Sequence, residues 1–254
     1  MPGRLYLVPN TLDFGVADTA LADLQDVLPL GVLRVAARLQ YWVVENAKTA
    51  RAFLKRVDQV VPLEQQLQRL SIVELPRAPK GKAAAVTAPE WRSLLRPAEQ
   101  GEDVGLLSEA GLPAVADPGA ALVQAAHLQG IAVVPLCGAS SVLLALAASG
   151  LNGQSFAFVG YLPVENSERA TRIRELEALS RRIGQTQLMI ETPYRNAALL
   201  QALLAHLDAH TRLAVSCGLT LPSGWSRTAP VAQWRAFGES LPADVPAVFA
   251  LLAQ

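Results

Sequence analysis

Apolar residues in this chain come in short runs closed by turn-forming residues, and between the runs the apolar positions spread out to a helical period. LYLV at 5–8, YWVV at 41–44, LSIVEL at 70–75, VGLL at 104–107 and IAVVPL at 131–136 are long enough for buried strands and too short for helices. Helical patterning is read between them, over about 19–28, 47–57, 118–129 and 142–148. Pro9-Asn10-Thr11 turns the chain after the first run, and Gly130 is placed to close the third helix at its C-terminus. Strands alternating with helices in this way predict parallel βαβ units with helices on both faces.

Gly150-Leu151-Asn152-Gly153-Gln154 interrupts the pattern after its most hydrophobic helix and marks a domain boundary, giving domains 1–152 and 153–254. Beyond it come a strand at 156–159, a charged helix at 165–182 and strands at 187–190, 213–216 and 248–252. Thr192 is expected as an N-cap with Pro193 at the first helical position, and that helix buries Leu199, Leu200, Leu203, Leu204 and Leu207. The expected fold is α/β with two α/β domains. The first holds a mostly parallel sheet flanked by helices, and the second a mixed sheet with helices.

The stretch VGLLSEAGLPAVADPG, residues 104–119, concentrates the chemistry. Its apolar run stops in Ser108-Glu109-Ala110-Gly111, small residues that let a ligand approach the backbone. Asp117 is expected as the N-cap of the next helix, with Pro118 at its first position. A strand that ends in small residues and leads into a helix is the usual ligand crevice of an open α/β sheet. A plain βα connection without a ligand has the same local pattern.

Composition narrows the partners. Lys plus Arg and Asp plus Glu balance at 22 each, so any nucleic-acid affinity must come from local patches. Lys48, Arg51 and Lys55 share one helix face, and Arg77, Lys80 and Lys82 form a basic loop. A solvated helix face gives the same stripe. Cys137 and Cys217 lie far apart, which suits a reducing cytoplasm. His127, His206 and His210 lack metal-ligand spacing, so no metal is expected. Met1-Pro2-Gly3-Arg4 leads straight into the first strand, so no secretory leader is expected. Residues 118–164 hold no Asp, Glu, Lys or Arg, but glycines and prolines cut that run into strand and helix lengths and no membrane span is expected.

GxGxxG after a strand, GxxxxGK[ST] and GxSxG are all absent, which argues against Rossmann, P-loop and hydrolase chemistry. Instead SEAGLPAVADPG is followed in order by VVPLCGASS (133–141), GYLP (160–163) and ETPYR (191–195), with LYLVP and ENAKTA (45–50) ahead of it. This ordered set resembles the tetrapyrrole-methylase superfamily of class III S-adenosylmethionine methyltransferases, over nearly the whole chain. Within that superfamily the chain is most similar to the small-subunit rRNA (cytidine-2′-O)-methyltransferases, as a divergent relative.

The resemblance implies a cytoplasmic homodimer that binds S-adenosylmethionine in a cleft between the two domains. It implies a cofactor site made by Pro9, Ser108, Glu109, Ala110, Gly111, Pro113 and Gly138, with Ser155, Phe156, Met189, Glu191 and Pro193 from the second domain. Glu109 and Glu45 are the candidate catalytic carboxylates; Glu109 could equally be a turn residue bonded locally. Asn46, Lys48, Arg51 and Arg195 are the candidate substrate contacts, and Arg195 could instead pair with a neighbouring acid. The family's aspartate after the central serine is Glu109 here, and its histidine–asparagine–glutamate segment is missing. The expected activity is methyl transfer to RNA or a ribosomal subunit. A small-molecule methylase and a non-catalytic cofactor-binding regulator are the alternatives.

Overall fold

The computed structural model describes residues 2–13, 23–76, 88–238 and 240–254. The element order is β1 (Arg4–Val8), α1 (Leu24–Val27), α2 (Leu30–Arg38), β2 (Tyr41–Val44), α3 (Ala47–Val60), β3 (Ser71–Glu74), α4 (Ala88–Leu94), α5 (Arg96–Glu99), β4 (Val104–Leu107), α6 (Ala120–Leu128) and β5 (Ala132–Pro135). It continues with α7 (Ser141–Ser149), β6 (Phe156–Tyr161), α8 (Asn166–Ile183), β7 (Thr186–Ile190), α9 (Asn196–His206), β8 (Arg212–Cys217), β9 (Trp225–Pro230), α10 (Val231–Phe237) and β10 (Ala247–Leu252). The described chain falls into two compact units that part between Ala139 and Ser140.

In the first unit the strands run in the order β3-β2-β4-β1-β5, all parallel. Alternation along the strands feeds two apolar layers. Tyr6, Val8, Trp42, Val44 and Leu107 pack with α2 and α3 residues such as Leu33, Phe53 and Leu54. Leu5, Val43, Val104 and Leu106 pack on the other face with Leu95, Ala98, Leu122 and Ala126. Both faces are covered, as a parallel sheet requires. The connection after β1 heads toward β2 and the one after β4 toward β5, in opposite directions along the sheet, which opens a crevice at the carboxyl ends of these two neighbours.

The second unit has a mixed sheet ordered β6-β7-β10-β8-β9, in which only the β6–β7 pair is parallel. Met189, Leu213, Val215, Phe249 and Leu251 face Ile173, Leu176, Leu199 and Leu203 of α8 and α9. Leu188, Ala214, Val248 and Ala250 face Val142, Ala145 and Leu146 of α7. So α7 packs on the second sheet, and the chain changes units before this helix rather than at Gly150–Gln154.

Several local expectations are corrected. Asp117 does not cap α6: that helix starts at Ala120 with Gly119 as N-cap at φ 130°. The preceding turn presses onto β4, where a Cβ on Gly119 would sit 2.9 Å from Leu106 Cδ2, so the chain finishes the turn before it can begin a helix. After Thr192, Pro193–Arg195 form a single 3₁₀ turn, and α9 begins only at Asn196. Helices α2, α4, α5 and α10 and strand β9 were not foreseen; β9 is an edge strand whose exposed polar positions and terminal Pro230 leave no apolar run to read. The expected helix start near Thr19 and the basic loop Arg77–Lys82 lie outside the described residues. Among the described residues no helix is long and apolar enough to cross a membrane.

Candidate functional site

The crevice of the first unit is built by turns after β1, β2, β4 and β5. Asn10 ties the first of these to the third. Its amide donates to the Gly111 carbonyl at 2.9 Å, and the Gly111 amide returns a bond to Thr11 O at 3.2 Å. Asn10 Nδ2 donates to the carbonyls of Ser108 at 3.2 Å and Glu109 at 3.0 Å, while Oδ1 accepts from the Thr11 amide at 2.9 Å. The β1 turn is also held to α3, where Arg56 Nη2 meets Asp13 Oδ2 at 3.1 Å and Nη1 meets Thr11 Oγ1 at 3.3 Å. Asp13 is only 5% exposed, so this pair is a buried tie.

Glycines permit the closest approaches. Gly138, after β5, lies so near Pro9 that a Cβ would fall 2.3 Å from Pro9 Cβ. Gly111 sits at φ 64°, and its missing Cβ would meet Leu12 Cδ2 at 3.2 Å. Pro113 is buried, and Ala110 is half-buried beside Gly111. Ser108 is 2% exposed and its Oγ has no hydrogen-bond partner. A buried hydroxyl without a partner at a strand terminus is unusual in a folded core and marks a place where a ligand would complete the bonding.

The two candidate catalytic residues are linked here. The Glu109 amide donates to Glu45 Oε2 at 3.1 Å, and Glu109 Oε1 accepts from Thr49 Oγ1 at 3.0 Å. The Glu45 amide donates to Leu107 O at 3.0 Å, which fixes the β2 turn against β4. Asp117, taken from sequence as a cap, joins them electrostatically: burial, then the charges of Glu45 and Glu109, push its carboxyl up to about 7. Its sequence signal was the DPG turn, which reads first as a helix start. Thr49, inside ENAKTA, and the Asp13–Arg56 pair were also missed. Both are side-chain ties between elements far apart in sequence, and no local pattern announces them.

Other candidates have local partners. Asn46 caps α3, its Oδ1 accepting from the amides of Lys48 at 2.9 Å and Thr49 at 3.3 Å. Lys48, Arg51 and Lys55 are exposed along α3 as the spacing predicted, and Arg51 Nη1 reaches back to Ala47 O at 3.3 Å. In the second unit, Arg195 is paired with buried Glu191: Nη2 lies 2.7 Å and Nε 3.1 Å from Oε1. The Thr192 amide adds a 2.7 Å bond to the same oxygen.

The five cofactor candidates of the second unit are not all brought together. Phe156 is in register with Thr186 at the start of β7, so Ser155 and Phe156 lie at the opposite edge of the sheet from Glu191 and Pro193, which follow its end. The Met189 side chain is fully buried in the core, which leaves only its backbone to meet a ligand. The register of β7, β10 and β8 places the Gly218–Thr220 turn at the Glu191 edge. There Thr220 adopts φ 70° and its buried hydroxyl lacks a partner. Among the described residues no group of three or more His, Cys, Asp or Glu side chains is arranged to hold a metal.

Residues 47–230 match the family model of the Tetrapyrrole (Corrin/Porphyrin) Methylases. A protein of Mesorhizobium japonicum named "Ribosomal RNA small subunit methyltransferase I" is 40% identical over 127 residues, which is 50% of this chain and 42% of that relative. Its Bacillus subtilis namesake is 39% identical over 122 residues, 48% of this chain and 40% of the relative. The chain thus spans less than half the length of the curated relatives it matches. In fold it is similar to the uroporphyrin-III-C-methyltransferase of Thermus thermophilus, with TM-score 0.51 at 20% identity over 99% of this chain and 93% of that one. It is likewise similar to the methyltransferase CobJ, with TM-score 0.56 at 14% identity over 99% and 94%.

Proposed function

Because this chain belongs to the tetrapyrrole (corrin/porphyrin) methylase family, we propose that it is an enzyme that transfers a methyl group from S-adenosylmethionine to a ribose 2′-hydroxyl of small-subunit ribosomal RNA. One observation carries the donor half of this reading: the buried, unpartnered Ser108 Oγ at the head of a crevice whose walls approach too closely for any side chain at Gly138. The residues fit the donor. Pro9, Ser108, Glu109, Ala110, Gly111, Pro113 and Gly138 would hold it, largely through backbone and small side chains. When bound, the donor supplies a methyl group already activated on a sulfonium.

The chain's own task is then alignment, which can contribute about 7–11 kcal/mol of the barrier. Glu109 is assigned as the proton acceptor for the substrate hydroxyl, worth roughly 10²–10⁴-fold. Glu45, which holds the Glu109 amide, is a positioning residue. The RNA half is supported by the names of the relatives and by the exposed Lys48, Arg51 and Lys55 on the helix that follows the Glu45 turn. The reading extends to a homodimer in the cytoplasm; the dimer is supported by the uncharged run 118–164 and by Leu128, Leu143 and Leu144, which stand exposed within it.

The test is transfer of tritiated methyl from S-adenosylmethionine to ribosomal subunits and, in parallel, to a small-molecule extract. Label in RNA that survives alkali as a 2′-O-methylated dinucleotide supports the proposal. Label confined to the small-molecule fraction replaces RNA with a tetrapyrrole-like substrate, and no label in either leaves the non-catalytic reading.

A further inference from the structure

Glu45, Glu109 and Asp117 arrive at one sheet edge from three different turns. The first two are locked by hydrogen bonds to the Glu109 amide and to Thr49. Asp117 makes no side-chain hydrogen bond to the described residues, yet its turn is tightly determined. Ala114 and Ala116 both sit at φ 66° and Gly119 at φ 130°, and left-handed backbone is disfavoured for alanine. The charges acting on Asp117 are those of Glu45 and Glu109, while α3, which supplies Thr49, turns Lys48 and Arg51 to solvent.

A second observation points to a ligand at this place. The strand alternation puts Leu106 and Ser108 on one face of β4 and Leu107 on the other, since Leu106 and Leu107 belong to different apolar layers. Gly119, at the end of the Asp117 turn, packs on Leu106. The unpartnered Ser108 Oγ therefore faces the side on which the Asp117 turn lies.

We propose that Glu45, Glu109 and Asp117 form a charge-reading cluster that distinguishes the sulfonium of S-adenosylmethionine from the neutral thioether of its demethylated product, with Asp117 losing its proton as the cation binds. The inference rests on the reading that this crevice takes S-adenosylmethionine. Burial and like charge keep a proton on Asp117 in the free protein, with a midpoint at about 7. A cation beside the cluster attracts the ionised carboxylate, which opposes the effect of burial and like charge and drives the proton off. The product differs from the donor by one positive charge on sulfur and gives no such relief. Donor affinity then scales with the deprotonated fraction of Asp117, which rises from roughly a tenth at pH 6 to nine tenths at pH 8. Product affinity stays nearly flat.

The experiment is calorimetric titration of the full chain with S-adenosylmethionine and with S-adenosylhomocysteine at pH 6, 7 and 8, for the wild type and Asp117→Asn. The preference for donor over product should rise about tenfold across this range in the wild type, and the variant should lose the rise. Glu109→Gln, which removes one of the two like charges, should move the midpoint to lower pH and supplies the same test should Asp117→Asn fail to fold. Carbon-13 titration of the Asp117 carboxyl in the free protein should give a midpoint near neutrality. A midpoint in the ordinary aspartate range, or parallel profiles in wild type and Asp117→Asn, overturns the cluster and leaves the donor site standing. A folded wild type that binds neither ligand overturns the donor site and the cluster with it.

Discussion

Replacing Gly138 by alanine adds a single carbon and should disable the crevice. Gly138 does not occupy the left-handed region, so backbone strain is not the reason. The new Cβ would lie 2.3 Å from Pro9 Cβ, 2.5 Å from Pro9 Cγ and 3.5 Å from Leu28 Cδ2. Carbon atoms in contact need about 3.5–4.0 Å, so one loop must move by more than 1 Å. Pro9 cannot swing a ring aside without moving backbone, and its neighbour Asn10 carries the bonds to Ser108, Glu109 and Gly111. Overpacking costs about 1–3 kcal/mol, and each neutral hydrogen bond loosened adds about 1 kcal/mol. A loss of about 2–4 kcal/mol is therefore expected, together with donor binding weakened by at least tenfold. Gly153→Ala is the control, with nothing within 4 Å of its added carbon, and should change stability by less than about 1 kcal/mol. Urea unfolding reads the first effect as a lower midpoint at unchanged slope, and calorimetry reads the second. A Gly138→Ala protein as stable as Gly153→Ala, with donor affinity intact, would refute the argument that this contact shapes the site.

Arg56→Met should cost about 2–4 kcal/mol in the same unfolding assay, because it removes the cation paired with buried Asp13; a change below about 0.5 kcal/mol would mean that this ion pair contributes little to stability. The carboxyl of Asp117 holds its proton more tightly in the folded than in the unfolded chain, so stability falls as pH rises from about 4 to about 7 and levels off above that. Asp117→Asn should therefore gain about 1–2 kcal/mol over the wild type at pH 8, after discounting for solvent screening, and almost nothing at pH 4; equal gains at both values would exclude titration as the cause. Converting Lys48, Arg51 and Lys55 to alanine should flatten the salt dependence of RNA binding by about two units and leave donor affinity unchanged. An unchanged slope would make the stripe a solvated face. Sedimentation at micromolar concentration should show a dimer, and a lone 27.0 kDa species would contradict it.

The strands of the parallel sheet were the most legible part of the chain. LYLV, YWVV and VGLL are buried on both sides, so their apolar runs are continuous and their ends are sharp. Helix α2 was missed because Gly31 and two valines weaken a segment in which Leu30, Leu33, Arg34, Ala36, Ala37 and Arg38 favour a helix, and burial of Val32, Leu33 and Ala36 holds it. Edge strand β9 exists because β8 offers it a partner, which is a tertiary fact. In the site, the small residues at strand ends were readable because close backbone approach demands them. Asp117 was not: DPG is a good helix start by local rules, and only the fold brings Glu45 and Glu109 near enough to change its chemistry. Arg195 was left open between phosphate and a neighbouring acid, and the structure pairs it with Glu191. The separation of Ser155 and Phe156 from Glu191 and Pro193 was equally hidden, since sequence order does not say that β6 and β7 run parallel.

The most direct test of the central claim is backbone amide mapping by nuclear magnetic resonance during titration with S-adenosylmethionine. The largest shifts should fall on Asn10, Ser108 to Gly111 and Gly138, the turns tied together at the carboxyl edge of the parallel sheet. They should be lost in Gly111→Val, whose branched side chain at φ 64° would enter the space beside Leu12. Saturable binding with shifts confined to other residues, or the same shifts in a folded Gly111→Val protein, would contradict the assignment of this crevice as the methyl-donor site.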